Sequence, residues 1–174
     1  MKYCPQCASL LALKIIDGVE RKACSQASIN ISAQTNTKEC SFVDWNNPTP
    51  VAAALIEING KYLLARNHAW PEGFFSLISG FIEAGESPEI SIDREVMEEV
   101  GLKAVSTHFI GHFPFPAMNQ LIIAFGVKAE GEIQLNEELL EYKLLSKEEL
   151  ANYDFGMLKL GRLVADKWAA QLCS

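Results

Sequence analysis

The sequence predicts an α/β domain that follows a small cysteine-rich module. Four of the five cysteines lie in the first 40 residues, and strand-like and helix-like segments alternate along the remainder of the 174-residue chain. Their order is a hairpin, a strand, a helix, several strands and a final helix, which is typical of α/β folds. We therefore expect two units, residues 1–47 and residues 48–174, with enough length in the second to bury a core.

Charge and hydropathy narrow the class of protein. The net charge of −7 argues against a nucleic-acid-binding surface and suits a protein that meets anionic ligands through metal ions. No apolar run approaches the ~20 residues needed to cross a bilayer, and the first residues lack the apolar stretch of a signal peptide. We expect a cytoplasmic protein without nucleic-acid or membrane partners.

The N-terminal cysteines have the spacing of metal ligands. They are Cys4, Cys7, Cys24 and Cys40. Cys4 and Cys7 form a C-x-x-C knuckle, in which two thiolates converge on one metal, and Cys24 follows a hairpin turn predicted at residues 17–18. Cys40 comes late because residues 25–39, nine of which are Ser, Thr, Asn or Gln, form a polar insertion.

Two interpretations of this module stay open. The first is a zinc-ribbon-like module whose four thiolates bind a structural zinc ion, because a closed four-cysteine site leaves no open position for a substrate. The second is a degenerate ribbon that has lost its metal. Because the segment is too short to build a good core, bound metal would supply its folding energy.

Three short elements follow the module. Residues 46–50, with two prolines, predict a stiff connector. The Asn-Gly pair at residues 59–60 predicts the turn of a hairpin between strands at residues 51–58 and 61–66. Residues 74–79 are apolar and predict a strand that leads the chain into a glycine-bounded loop.

The best-defined element is a helix over residues 88–100. Ser87 predicts its N-cap, Pro88 its first position and Gly101 the residue just past its end. After it, residues 103–113 and 119–129 predict strands, Ser146 predicts the N-cap of a short helix, and residues 156–172 predict an amphipathic terminal helix.

Three carboxylates crowd one face of the helix at residues 88–100. At about 100° per residue, Glu95, Glu98 and Glu99 fall within an arc of about 100°. Like charges at this spacing repel one another, so such a face favours a bound cation, and oxygen ligands favour magnesium or manganese over zinc. Taken alone, the pattern also fits a solvated acidic face.

Residues 80–102 resemble the Nudix box, the signature of the Nudix hydrolases. That box is a glycine, five residues, Glu, seven residues, Arg-Glu, an aliphatic, any residue, Glu-Glu, any residue, glycine and an aliphatic. Every fixed position matches: Gly80, Glu86, Arg94, Glu95, Val96, Glu98, Glu99, Gly101 and Leu102. The resemblance overrides the solvated-face interpretation and implies an α/β/α sandwich around a mixed β-sheet.

The resemblance implies a set of metal ligands. Glu95 and Glu99 are the expected ligands of Mg²⁺ or Mn²⁺, with Glu98 close behind as ligand and catalytic residue. A backbone carbonyl at Ser79 or Gly80 is expected to complete the shell.

The resemblance also implies roles for Glu86, for Arg94 and for an acid outside the box. Glu86 is expected to assist or orient a metal-bound water, and Arg94 to hold the loop through an ion pair to Glu86. A further acid outside the box often contributes in this family. Glu141 is the first candidate for that catalytic role and Glu138 the second, with surface charge as the alternative for each.

A cysteine-rich module before a Nudix box resembles the NADH pyrophosphatase branch and its shorter relatives. That branch carries a Ser-Gln-Pro-Trp-Pro-Phe-Pro run. Over residues 110–116 this chain keeps the Pro-Phe-Pro, has Phe113 in place of the Trp and lacks the Ser-Gln-Pro portion. Phe81 and Phe113 could stack a base, with core packing as the alternative.

The prediction is a magnesium- or manganese-dependent hydrolase of a nucleoside diphosphate derivative. NADH, NAD, FAD and ADP-ribose stay open as its small-molecule nucleotide substrate, and a homodimer is expected by family analogy. The alternatives are a nucleoside triphosphate pyrophosphatase and a non-catalytic Nudix ligand sensor.

Overall fold

A computed structural model of the protein describes residues 1–26, 40–156 and 159–173. The backbone divides into two compact units, Met1–Asn47 and Pro48–Ser174. Residues 27–39 of the predicted polar insertion lie outside the described residues, as do residues 157–158 of the predicted terminal helix. Within the described part of the chain, no helix has the length and apolar character needed to cross a membrane.

The first unit contains a three-stranded antiparallel sheet. Its strands, in spatial order, are β1 (Leu11–Ile16), β2 (Val19–Cys24) and β3 (Val43–Asp44). The predicted turn between β1 and β2 is present, with φ of 52° at Asp17 and 75° at Gly18. Positive φ at both central residues matches the twist of the flanking strands. The buried residues of this unit include three of its cysteines, against which Leu11 and Phe42 pack.

The second unit is built on a mixed six-stranded sheet. Its strands are β4 (Thr49–Ile58), β5 (Lys61–Asn67), β6 (Ile78–Phe81), β7 (Lys103–Phe115), β8 (Gln120–Glu130) and β9 (Leu139–Leu145). The spatial order is β7-β8-β4-β5-β9, and β6 pairs with β4. Strands β4 and β8 run parallel and the other pairs antiparallel, which confirms the predicted mixed sheet.

Helices cover both faces of this sheet. They are α1 (Pro88–Val100), α2 (Lys147–Asn152) and α3 (Leu160–Gln171). Alternate residues of β4 belong to separate cores: Ile56 packs with residues of α1, whereas Leu55 packs with residues of α3. A central strand buried on both faces needs this near-continuous apolar sequence. The predicted α/β/α sandwich is confirmed.

Some boundaries differ from the prediction. Strand β6 begins at Ile78 rather than at residue 74. Among residues 74–77 only Ser76 pairs with another strand, through one bridge to Ala65. Strand β7 continues through Pro114, which an edge strand tolerates because its outer side needs no hydrogen-bond donor. Strand β9 was not predicted, since charged residues interrupt its apolar pattern.

Candidate active site

Helix α1 has the bounds and caps that the sequence predicts. The Ser87 side chain accepts a hydrogen bond from the Ile90 backbone N–H at 3.4 Å, and Pro88 occupies the first turn. Gly101 adopts the left-handed conformation, and its N–H donates back to the Met97 carbonyl. These local contacts set the rotation of the helix and therefore the direction of its carboxylates.

Gly80 lets one of these carboxylates reach the sheet. It lies in β6 opposite Ala52 of β4. A Cβ atom built on Gly80 would lie 1.9 Å from Oε1 of Glu95, a separation that real side chains do not reach. The Glu95 carboxylate therefore packs directly against the strand backbone, beside the glycine predicted to offer a carbonyl ligand.

A cleft of about 490 Å³ opens at this contact. Its lining residues are Val51, Ser79, Gly80, Phe81, Glu83, Glu95, Glu99, Gln120 and Glu138. The cleft brings together two of the predicted metal ligands of α1 with Glu138, which precedes β9. The third, Glu98, has a side chain that is 57% exposed, and it does not line the cleft.

Electrostatic crowding is strongest at Glu99. Burial, followed by repulsion from the Glu95, Glu138 and Glu98 carboxylates, raises the pKa of Glu99 to about 8. A group of carboxylates that oppose each other's ionisation is stabilised by a cation. Because the donors are all oxygens, this group suits a hard divalent metal.

Arg94 ties the box loop to α1. Its Nε donates to Oε1 of Glu86 at 2.8 Å and its Nη2 to Oε2 at 3.0 Å, while the Glu83 backbone N–H donates to the same Oε2 at 3.0 Å. The Arg94 hydrogen bonds and the Glu83 backbone N–H hold the pKa of Glu86 at about 2. Arg94 also donates to Glu95 at 2.8 Å and to Glu98 at 3.0 Å.

These contacts bear on the role expected for Glu86. Both of its carboxylate oxygens are engaged by the loop backbone and Arg94, and it is not among the residues that line the cleft. The predicted ion pair to Arg94 is therefore present. For Glu86 itself, the geometry places a loop-holding contact where we expected a residue that orients water.

Of the two candidate acids outside the box, Glu138 lies at the cleft and Glu141 does not. Glu138 lines the cleft and acts on the pKa of Glu99. Glu141 instead pairs with Arg66, whose Nε donates to its Oε1 at 2.6 Å, and it does not line the cleft. The register of β9 against β5 decides this, because it puts Glu141 directly opposite Arg66.

The two candidate stacking residues also separate. Phe81 is 59% exposed and lines the cleft. Phe113 is only 9% exposed and belongs to the core beneath α3, where Lys167 lies over its ring at 5.5 Å. The substrate-binding prediction for Phe113 is therefore corrected to a packing role, because strand alternation points it into the core.

Beside the cleft lies an aromatic pocket of about 330 Å³ that was not predicted from the sequence. Its rings are those of Trp70, Phe74, Phe115 and Phe155. It shares three lining residues with the cleft, namely Val51, Ser79 and Gln120, so the two adjoin. The rings come from segments far apart in sequence, and only the aromatic content of residues 70–75 could have indicated them.

The four N-terminal cysteines converge as predicted. The sulfurs of Cys4 and Cys40 are 3.5 Å apart, those of Cys7 and Cys24 are 3.4 Å apart, and all four lie within 4.8 Å of one another. Four thiolates around one zinc ion are separated by about 3.8 Å at a Zn–S distance of about 2.3 Å. Hydrogen bonds from Ser9 lower the pKa of Cys7 to about 6, whereas burial raises the pKa of Cys24. The cluster therefore has the geometry to bind a metal ion.

Curated relatives match most of this chain. It is 28% identical to the NAD-capped RNA hydrolase NudC of Mycobacterium bovis (strain BCG / Pasteur 1173P2), over 89% of this chain and 54% of the relative. It is 41% identical over 96 residues to the human mitochondrial NAD(P)H pyrophosphatase NUDT13, covering 53% of this chain and 27% of that protein. The chain spans about half the length of the mycobacterial relative.

The name of the mycobacterial relative includes an RNA substrate. This stands against our expectation that no nucleic acid is a partner, and that expectation stays a prediction for this chain.

Two further comparisons concern the fold. The structure of a NUDIX hydrolase from Nitrosomonas europaea superposes with a TM-score of 0.74 at 23% identity, covering 97% of this chain and 88% of that one. A family model described as the NUDIX domain matches residues 47–168, which is more than half of the chain. With the complete box, the sandwich and the carboxylate cleft, this match shows that the chain belongs to the Nudix hydrolase family.

Proposed function

We propose that this protein hydrolyses the diphosphate linkage of an NAD-type nucleoside diphosphate derivative to give two monophosphates. NADH, NAD, FAD and ADP-ribose form the substrate class. The observation that carries the proposal is that the carboxylate cleft and the aromatic pocket adjoin and share three lining residues. A diphosphate in the first would place an attached base against rings in the second. The names of the mycobacterial and human relatives support NAD-type substrates.

The oxygen-rich side of the cleft would hold the metal. Glu95, Glu99 and the Gly80 carbonyl supply hard oxygen donors, which fit Mg²⁺ or Mn²⁺. When bound, such ions acidify a water molecule and neutralise phosphate charge. The four cysteines would hold a structural Zn²⁺, since their sulfurs have the spacing of a tetrahedral site.

The residues of the chain have separate roles in the hydrolysis step. Water adds to one phosphorus, the P–O bond to the bridging oxygen breaks, and the second monophosphate leaves. We assign the removal of the water proton to Glu138, because it lines the cleft, while Arg66 holds Glu141 and Arg94 holds Glu86. Phe81, exposed at the cleft, is assigned to substrate contact.

A substrate panel tests the proposal. NADH, NAD, FAD, ADP-ribose, the nucleoside triphosphates and NAD-capped RNA would each be incubated with Mg²⁺ or Mn²⁺ and the products separated. Two monophosphates from a dinucleotide are the expected result. Turnover of triphosphates alone would favour a nucleoside triphosphate pyrophosphatase, and tight binding without turnover would favour a ligand sensor. Release of the NAD cap from RNA would overturn the expectation of no nucleic-acid partner.

Two wider expectations accompany this proposal. A homodimer, expected by family analogy, would be measured by light scattering of the purified protein. A cytoplasmic location would be measured by fractionation of cells that express the full-length protein.

A further inference from the structure

We propose that Glu141 is a positioning residue that acts through Arg66 on Trp70, and so fixes one wall of the aromatic pocket. The inference rests on the proposed function, because it assigns this wall to the base-bearing half of the substrate. It gives Glu141 a role different from that of Glu138, which lies three residues earlier and lines the carboxylate cleft.

A chain of two contacts links Glu141 to Trp70. The Arg66 Nε donates to Oε1 of Glu141 at 2.6 Å, and the Arg66 Nη1 donates to the backbone carbonyl of Trp70 at 3.3 Å. The Arg66 side chain is only 12% exposed, whereas that of Glu141 is 47% exposed. A guanidinium so shielded from water needs its counter-charge to stay in place. Without Glu141, Arg66 therefore loses the contact that aims its fork at Trp70.

The strand pairing around this ion pair is irregular. Arg66 lies opposite Glu141, but Asn67 lies opposite Leu139, so one residue of β9 bulges out between them. Just beyond the bulge, the His68 N–H donates to the Glu138 carbonyl at 3.0 Å. Bulges beside active sites commonly redirect the chain and its side chains. Residues 138–141 thus hold the loop after β5 by the side chain of Glu141 and by the backbone carbonyl of Glu138.

Trp70 is the part of this loop that meets the substrate region. Its ring meets that of Phe74 edge to face, with centroids 5.3 Å apart, and both rings line the aromatic pocket. Trp70 also lines a small recess that contains Glu99 and Glu138. It therefore stands between the acidic cleft and the base site. A displaced Trp70 alters base binding while the carboxylates keep their own supports.

The experiment is a double-mutant cycle read by steady-state kinetics on NADH. Glu141→Ala and Trp70→Ala are each expected to raise KM by about tenfold, with kcat within about twofold of the parent protein. The double variant is expected to be no worse than the poorer single variant, because both changes remove the same wall. Glu141→Gln keeps an oxygen that can accept from Arg66, so part of the loss should be recovered. Glu137→Ala, an exposed acid on the same stretch, is the matched control and should leave both constants unchanged.

A second readout needs no turnover. Acrylamide quenching of tryptophan fluorescence should increase in Glu141→Ala, and this increase should be absent when the same change is made in Trp70→Phe. If the parent protein hydrolysed no dinucleotide, the proposed function would fail while quenching still decided the link to Trp70. The inference is overturned if quenching is unchanged, if the KM effects multiply, or if Glu141→Ala lowers kcat 100-fold or more at constant KM.

Discussion

Glu99 is the residue at which the electrostatics of the cleft concentrate. Its carboxylate is partly buried and faces the negative charges of Glu95, Glu138 and Glu98. A bound cation would relieve this repulsion, because it stabilises the ionised form of each carboxylate. The cleft is therefore arranged for a ligand of positive charge, and this arrangement leads to two measurable consequences.

Replacement of Glu99 by Gln should abolish most hydrolysis without unfolding the protein. The amide keeps the size of the carboxylate but removes the charge that would hold a divalent ion, so we expect kcat to fall by at least about 100-fold. Activity with the best substrate of the panel and circular dichroism are the measurements. Full turnover on every substrate would mean that the metal-ligand assignment is wrong.

The same residue predicts how stability depends on pH when magnesium is omitted. Below pH 4.5 the Glu99 carboxyl is protonated in the folded and unfolded chains, and between pH 4.5 and about 8 it is ionised only in the unfolded chain. Unfolding then releases a proton, so the free energy of unfolding falls as pH rises, by at most about 1.4 kcal/mol per pH unit.

Urea denaturation at several pH values within this window would measure that slope. Glu99→Gln should flatten it, and added Mg²⁺ should do the same in the parent protein by stabilising the ionised carboxylate. If both proteins showed the same slope, the shift at Glu99 would be refuted.

Gly80 is the second residue on which the cleft depends, because the Glu95 carboxylate packs against its backbone. A methyl group there would lie 1.9 Å from the Glu95 carboxylate, so helix and strand must separate or the carboxylate must turn away. Displacement of a catalytic group by about 1 Å can cost about 100-fold in rate. We expect Gly80→Ala to weaken Mn²⁺ binding, measured by calorimetry, and to lower kcat by about that factor. Unchanged Mn²⁺ affinity with full activity would remove Glu95 from the ligand set.

At the scale of elements, Arg94 ties the loop before α1 to the helix itself. The Arg94 fork grips both oxygens of Glu86, and its Nη2 also donates to the Phe81 carbonyl at 3.2 Å. The guanidinium thus joins β6, the loop and α1. A lysine keeps the charge but cannot reproduce the planar fork.

Arg94→Lys should therefore lower hydrolysis by about tenfold, because the loop loses its two-point attachment. Arg162→Lys is a matched control: Arg162 donates to backbone carbonyls at the end of α2 and does not line the cleft. That control should lose thermal stability but keep its kcat; its KM can change, because the Arg162 guanidinium lies over the ring of Phe155 in the aromatic pocket. Equal activity losses in the two variants would show that the Arg94 effect is general destabilisation.

Elements with local signals could be predicted from the sequence. Helix α1 begins and ends where Ser87 and Gly101 indicate, because caps depend on neighbours within one turn. The sequence did not predict β9 or the choice between Glu138 and Glu141. Both depend on the bulged pairing of β9 with β5, a contact across more than 70 residues. The aromatic pocket was not predicted either, because its rings also come from segments far apart in the sequence.

At the scale of the whole molecule, the two units differ in what holds them together. The second has two apolar cores, one on each face of its sheet. In the described part of the first unit, the buried core cluster consists of Cys4, Cys24 and Cys40. Thiols without a metal give little folding energy to so small a unit. The stability of the first unit should thus depend on a bound ion, and that of the second should not.

This contrast gives a prediction for the purified protein. Elemental analysis should find about one zinc ion per chain, the number that one four-cysteine site binds. Removal of zinc, or Cys7→Ser, should expose residues 1–47 to protease, whereas residues 48–174 keep their thermal transition because their cores contain no thiolate ligand. Cys173→Ser, at an exposed cysteine outside the cluster, is the control and should change neither property. A protein with less than about half an equivalent of zinc and a protease-resistant first unit would instead establish the degenerate ribbon, since packing alone would then hold that unit.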